Sequence, residues 1–253
     1  MSKPPLPAEL LDHVVDHLHD SEDALKNCCL VSKSWIPRAR RHLFADVQLD
    51  TEALKSWKEM FPDSSVSPGH YTKTLLIEVD YSRIVTAADV EAGGWLRGFS
   101  RVLHLEVDTQ SPYSHESWSP LVPLHGLSPV VKSLRVGSVA LSASEIFNFI
   151  LSFPLLEDLA ARCGSDGPPT IVHPSNPPKF TGSLELMTNG MVLIARRLLS
   201  LPGGIHFRKL VLRWTQDEDI LLASALVERC FHTLESLDIT CYSSGTPIQR
   251  LSP

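Results

Sequence analysis

The sequence lacks the features that would place it in a membrane or outside the cell. No apolar run can cross a bilayer: the longest, such as ILLASALV at residues 220–227, fall well short of the ~20 residues a spanning helix needs. The start, MSKPPLPAELL, has neither the charged end, the apolar stretch nor the small-residue cleavage site of a secretory signal. Cysteine is scarce. There are five, an odd number, with Cys28 and Cys29 adjacent inside an apolar pattern, which fits reduced thiols better than a disulfide framework. The expectation is a soluble protein, cytoplasmic and/or nuclear, with no membrane partner.

A dominant charge is lacking too. The 23 basic and 29 acidic residues give a net charge of -6, spread along the chain, so there is no strong field to attract nucleic acid. Lys33, Arg38, Arg40 and Arg41 form the one basic cluster and read as the solvated face of a helix. What is present is 43% hydrophobic residues and 19 prolines, the composition of a folded protein with many chain breaks. At 253 residues the chain is near the size at which one core stops growing, so two domains or an elongated repeat is expected.

From residue 45 onward a short phrase returns: ADVQLD, KTLLIEV, RVLHLEV, KSLRVGS, EDLAAR, GSLELMT, RKLVLRW, ESLDIT. Each sets apolar side chains two apart, as in a strand with one buried face. Anchors at Val47, Leu75, Leu103, Leu134, Leu159, Leu184, Leu210 and Leu237 are separated by 28, 28, 31, 25, 25, 26 and 27 residues. The period falls within or close to the ~20–29 residues of leucine-rich repeats, which the region resembles, and implies a solenoid with a parallel sheet. The fold class is therefore α/β.

Between the strands several segments carry helix signals. Ser142 with Glu145 makes a capping-box pattern before Ile146, Phe149, Ile150 and Phe153, and Pro154 stops that helix. Thr215 with Glu218 repeats it before Ile220, Ala223, Val227 and Phe231. Further helices are expected over 51–61, 86–98 and 190–200. The segments 108–126 and 163–179 are broken by proline and read as loops. Residues that alternate with the anchors should line a concave binding face: His104, Glu106, Arg135, Glu185, Val211, Arg213, Asp238 and Thr240. Their mixed charge without an aromatic ladder points to a protein target and away from nucleic acid. After ESLDIT no further helix or polar cap is evident, so the last repeat is expected to be frayed, covered by a partner, or the end of a shortened product.

Residues 1–49 have another rhythm. Leu10, Val14, His17 and Leu18 form a stripe after Pro7; Leu25, Cys28 and Cys29 mark a second helix leading to Trp35; Ser34 is placed to cap a third containing Ile36, Ala39 and Leu43. Three short helices make too small a core to be stable without help. LPAELLDHVVDHL, ALKNCCLVSKSW and RRHLFADVQL together resemble the F-box pattern, over roughly residues 4 to 49. The matching positions are Leu6, Pro7, Glu9, Leu10, Leu18, Leu25, Cys29, Leu30, Val31, Ser32, Lys33, Trp35, Leu43 and Phe44.

The resemblance implies an F-box domain over 1–49, docking on a Skp-type adaptor and through it on a cullin. It also implies that a leucine-rich-repeat-like solenoid over 50–253 holds an unknown protein target for ubiquitin transfer. Leu6, Pro7, Leu10, Leu11, Val14, Leu18, Leu25, Val31 and Trp35 are the adaptor-binding residues it implies. A small helical cap on the first repeat would use the same apolar stripes, and a ligase-independent scaffold would use the same two parts. No catalytic residue, cofactor or metal is expected. His13 and His17 lack closing ligands for zinc, and Cys163 with His173 lacks an orienting group or an oxyanion loop.

Overall fold

The computed structural model describes residues 7–79, 93–109, 124, 127, 129–165, 177–187, 191–214 and 219–241. Three helices come first: α1 (Ala8–Asp16), α2 (Glu22–Val31) and α3 (Ile36–Leu43). Strands and helices then follow as β1 (Asp46–Leu49), α4 (Thr51–Met60), β2 (Thr74–Val79), β3 (His104–Thr109), β4 (Ser133–Ser142), α5 (Ala143–Leu151), β5 (Asp158–Ser165), β6 (Ser183–Met187), α6 (Met191–Leu199), β7 (Lys209–Trp214), α7 (Asp219–Cys230) and β8 (Ser236–Cys241). Among the described residues this is a mixed α/β chain with one eight-stranded parallel sheet and seven α-helices.

The strands lie in sequence order, each paired only with its neighbours in the chain. The register aligns Val47, Leu75, Leu105, Leu134, Leu159, Leu184, Leu210 and Leu237 in one row. One anchor differs from the sequence-based set: Leu105 takes the place of Leu103, which stands just before β3. In RVLHLEV both leucines fit an alternating pattern, and the pairing partner decides between them. A second inward row runs through Leu49, Ile77, Val107, Val136, Ala161, Leu186, Leu212 and Ile239.

Just before each strand one carbonyl ties the next unit down. Ala45 O accepts from Lys73 N and Thr74 N, Lys73 O from Leu103 N and His104 N, Leu103 O from Lys132 N and Ser133 N, and Lys132 O from Glu157 N and Asp158 N. Gly182 O and Arg208 O repeat the pattern further along. The step from β5 to β6 varies it. Glu157 O accepts from Gly182 N at 3.0 Å, and the Asp158 carboxylate takes the Ser183 amide at 2.6 Å and its hydroxyl at 2.7 Å.

On the helical side, Phe99, Phe149, Phe153, Phe180 and Phe207 are fully buried. Phe149 and Phe153 meet edge to face at 4.9 Å, the geometry favoured by ring quadrupoles. Phe180 has a φ of 46°, which a bulky residue seldom adopts, and its buried ring packs 5.3 Å from that of Phe207. The expected helix over 86–98 takes another form in its described part: Gly93–Gly98 is a 3-10 helix, closely approached by Gly69. The Thr86–Asp89 start, the Thr215–Glu218 pattern and most of both proline-broken loops lie outside the described residues, as does the Ser142 side chain. Helices α4, α5, α6 and α7 fall on the segments that sequence periodicity marks.

The helical unit and the sheet have separate cores: Val15, Leu25, Cys28 and Ala39 in the first, the two strand rows apart from Leu237 and the phenylalanines in the second. β1 lies within the 1–49 stretch yet pairs with β2, so the helical unit stops before Asp46. No helix among the described residues is long and apolar enough to cross a membrane. At the far end Leu237 keeps 36% of its surface exposed, whereas Leu105 and Leu159 are buried.

Two outcomes follow from this packing. Leu105→Ala should cost about 3 kcal/mol in chemical denaturation and Leu103→Ala about 1 kcal/mol or less, because only the former empties a fully buried site. In hydrogen exchange the β8 amides should lose protection before those of β5, and equal protection would show that the last strand is as well anchored as the centre.

Candidate interaction surfaces

In the helical unit Pro7 precedes α1 as its N-cap, and its carbonyl accepts from Leu10 N and Leu11 N. The first turn therefore begins one residue later than Pro7. Helix α1 turns Val15 into the core, with Leu18 packed beside it. The expected stripe of Leu10, Val14, His17 and Leu18 is thus corrected: Val15 and Leu18 face inward, while Leu10 and Val14 lie on the outer side. The helix ends at Asp16, so positions beyond it no longer follow helical spacing.

Helix α2 is capped by Ser21, whose hydroxyl accepts from Ala24 N, and buries Leu25 and Cys28. Ser34 does not cap α3. Its hydroxyl meets that of Ser32 at 2.9 Å, and Trp35 is the N-cap residue. Pro37 in the first turn has no N–H, so one donor that a cap would satisfy is missing.

A half-buried polar cluster joins α1 to α3. Both carboxylate oxygens of Asp16 accept from Arg38, through Nε at 2.6 Å and through Nη2, and Oδ1 also meets His42 Nε2 at 2.7 Å. Arg38 is therefore not part of a solvated basic face, although Arg40 and Arg41 are exposed. The Arg38 guanidinium, with His42 beside it, holds the Asp16 carboxyl far below the usual carboxylate range.

Among many charged side chains, this unit also leaves apolar ones outside. Leu10 is 52% exposed, Val14 49%, Leu30 84% and Val31 68%. Of the residues singled out from sequence, Leu10, Val14 and Val31 are on this exterior and Pro7 is exposed beside them in the chain. Leu11, Leu18 and Trp35 are half-buried, and Leu25 is inside the core, where it supports the unit and presents no outer surface. Leu6 lies outside the described residues. Leu30 joins the exterior set; its place at the head of LVSKSW was the signal for it.

The second surface is the sheet face opposite the helices. Glu106, Arg135, Ala160, Glu185, Val211 and Asp238 share one row. Arg135 spans it: Nη2 lies 3.4 Å from Glu185 Oε2, reaching past the small Ala160, and Nε lies 3.9 Å from Glu106 Oε1. His104 and Asp238 are exposed, and Arg213 and Thr240 are half-buried in neighbouring rows. Val211 shares the row but is covered by its neighbours and offers little surface.

Around Arg135 the face sinks into a hollow of about 220 Å³, lined by Glu106, Asp108, Gly137, Ala160, Arg162, Glu185 and Met187 among others. Asp108, Arg162 and Met187 were missed by sequence reasoning. Each stands two residues beyond a position on the Glu106 row, so the same alternation could have found them.

Among the described residues no group of three or more His, Cys, Asp or Glu side chains could hold a metal ion. His13 and His17 are exposed, and His19 turns instead to Asp16 O and Asp20. Cys163 is in β5, but its side chain and His173 lie outside what is described. No family model, curated protein or solved structure matches the chain.

The Asp16 cluster sets a pH dependence whose sign is fixed. A carboxyl whose folded pKa is depressed contributes stability above its unfolded value, and that contribution is lost as pH falls through the folded value. Protection of the α1 amides, corrected for intrinsic exchange, should therefore decline below about pH 4. Asp16→Asn should lower it already at neutral pH and flatten the acid dependence. Unchanged α1 protection in that variant would mean that the cluster does not hold α1 against α3.

Proposed function

We propose that the chain is a substrate-recognition adaptor subunit of a Skp-cullin-F-box ubiquitin ligase. In this reading the helical unit within residues 1–49 is an F-box that binds a Skp-type adaptor protein and through it a cullin. The sheet region is a leucine-rich-repeat-like solenoid that holds a target protein. The chain itself performs no chemistry; it raises the local concentration of a bound target near the transfer machinery.

The observation that carries the reading is the apolar exterior of the helical unit. A core of four buried residues is small for three helices, yet Leu10, Val14, Leu30 and Val31 stay outside it. Fully burying each such side chain is worth about 1.5–3 kcal/mol, so a partner that covers them recovers what the unit alone forgoes. The F-box pattern names the partner class: LPAELLDHVVDHL and LVSKSW are the segments that carry these side chains. Support for a target-holding role of the other part comes from its open sheet face, where charged side chains surround a hollow.

Co-expression with a Skp-type adaptor tests this reading. The wild type should be retained in pull-down, and Pro7→Asp with Leu10→Asp, or Val14→Asp with Val31→Asp, should abolish retention while circular dichroism stays unchanged. Charge placed in a desolvated apolar contact costs several kcal/mol, whereas at these exposed sites in the free chain it costs little. A wild type that does not bind, or variants that bind equally well, would reject it.

A further inference from the structure

The carbonyl that ties each unit to the next is left open at the last one. Glu235 stands just before β8 as Arg208 stands just before β7. Glu235 N and Ser236 N both donate to Arg208 O, whereas no N–H among the described residues donates to Glu235 O. β8 pairs with β7 alone, so the half of its backbone groups that points away from β7 meets no strand among the described residues. Nothing blunts that edge: SLDITC holds no proline, no lysine and no inward charge, and its pairing with β7 has no bulge.

The apolar layer is open at the same place. Leu134, Leu159, Leu184 and Leu210 are buried, while Leu237 is exposed and Leu234 and Ile239 are half-buried. The charge at the edge is acidic. Asp238 is exposed and has no cation partner among the described residues, and Glu235 is exposed with Arg208 3.8 Å away.

These features specify an occupant. The free carbonyl calls for two successive amides leading into a strand parallel to β8, as in the earlier units. The open layer calls for apolar side chains level with Leu237 and Ile239, and Asp238 calls for a cation between them, because opposite charges on neighbouring strands attract and like charges repel. A second copy of β8 laid parallel would set acid against acid at both Glu235 and Asp238.

We propose that the β8 edge captures an extended segment of a partner protein as a ninth parallel strand, with a cation between two apolar residues set against Asp238. Main-chain hydrogen bonds would supply affinity and the alternate side chains selectivity. This surface is distinct from the apolar exterior of the helical unit and from the hollow around Arg135, so the proposal does not depend on the adaptor reading.

A fluorescein-labelled peptide, GKSLRVGT, would be titrated to about 1 mM onto the full chain at low salt, with anisotropy as the readout. It offers lysine and serine amides to Glu235 O, leucine and valine to the apolar layer and arginine to Asp238. GKSLRVGT should bind, and GKSLEVGT, with the charge reversed, and GKPLRVGT, with one amide removed, should bind at least about tenfold more weakly. Asp238→Lys should reverse the order of GKSLRVGT and GKSLEVGT, whereas Glu59→Lys, the same charge change on α4, should leave it as in the wild type. In hydrogen exchange GKSLRVGT should protect the β8 amides and leave those of β5 unchanged. The proposal is overturned if GKSLRVGT does not bind, if either altered peptide binds as well, or if Asp238→Lys leaves the order unchanged. It is overturned too if β8 of the free chain, sedimenting as monomer or dimer, is already as protected as β5, since the edge would then be covered by the chain itself or by a second copy.

Discussion

Everything beyond the helical unit depends on one carbonyl per unit that accepts the next unit's backbone. Ala45, Lys73, Leu103, Lys132, Gly182 and Arg208 each take two successive N–H groups at the point where the following strand begins. That fork fixes where each strand starts, and once the start is fixed the period-two alternation decides which side chains enter the core. A slip of one residue would send the whole leucine row to the open face. The forks and the leucines therefore select the same register, one through hydrogen bonds and the other through burial. Where the fork has one amide fewer, before β6, Asp158 supplies the missing acceptor from its side chain. The need for a partner at that amide persists even where the backbone pattern does not.

Because each strand pairs only with its sequence neighbours, burial is shared along the stack and falls at its far end. Leu210 is fully buried with a strand on either side, while Leu237, in the same row, has β7 on one side. The helical unit faces a similar shortage by another route. Its three helices are too short to enclose a large core, and part of its cohesion comes from Asp16 held by Arg38 and His42. A polar tie of this kind fixes helix geometry without consuming apolar surface. It leaves Leu10, Val14, Leu30 and Val31 for another purpose.

Much of the fold was legible in the sequence, because each unit repeats a small burial problem. All eight strands and helices α4 to α7 coincide with segments marked by periodicity. The failures share a cause. At RVLHLEV and at LLDHVVDHL two apolar residues compete for one inward position, and sequence spacing cannot rank Leu103 against Leu105 or Val14 against Val15. Tertiary partners rank them: the Leu103 carbonyl is used as a fork, and Val15 is buried in one cluster with Leu25, Cys28 and Ala39. The Asp16 cluster was invisible for the opposite reason. It joins residues 22 and 26 positions apart, and a lone Asp at a helix end carries no local signal of such partners.

The open face was legible as a set of positions but not as a surface. Alternation identifies Glu106, Arg135 and Glu185; it does not reveal that Ala160 is small enough for Arg135 to reach across it. Nor does it show that the Asp108 carboxylate fills the space beside Gly137. Small residues make the relief of such a face, and charged residues make its field. Outside the β4–β5 pairing, where the register shifts after Val136, the two can vary independently of the core, since each position on this face is two residues from another and one from a buried anchor. The inward rows are constrained by neighbours on every side, whereas the outward rows are constrained by what they meet. The outward charges at Glu106, Arg135 and Glu185 are therefore a property that the inward rows do not dictate.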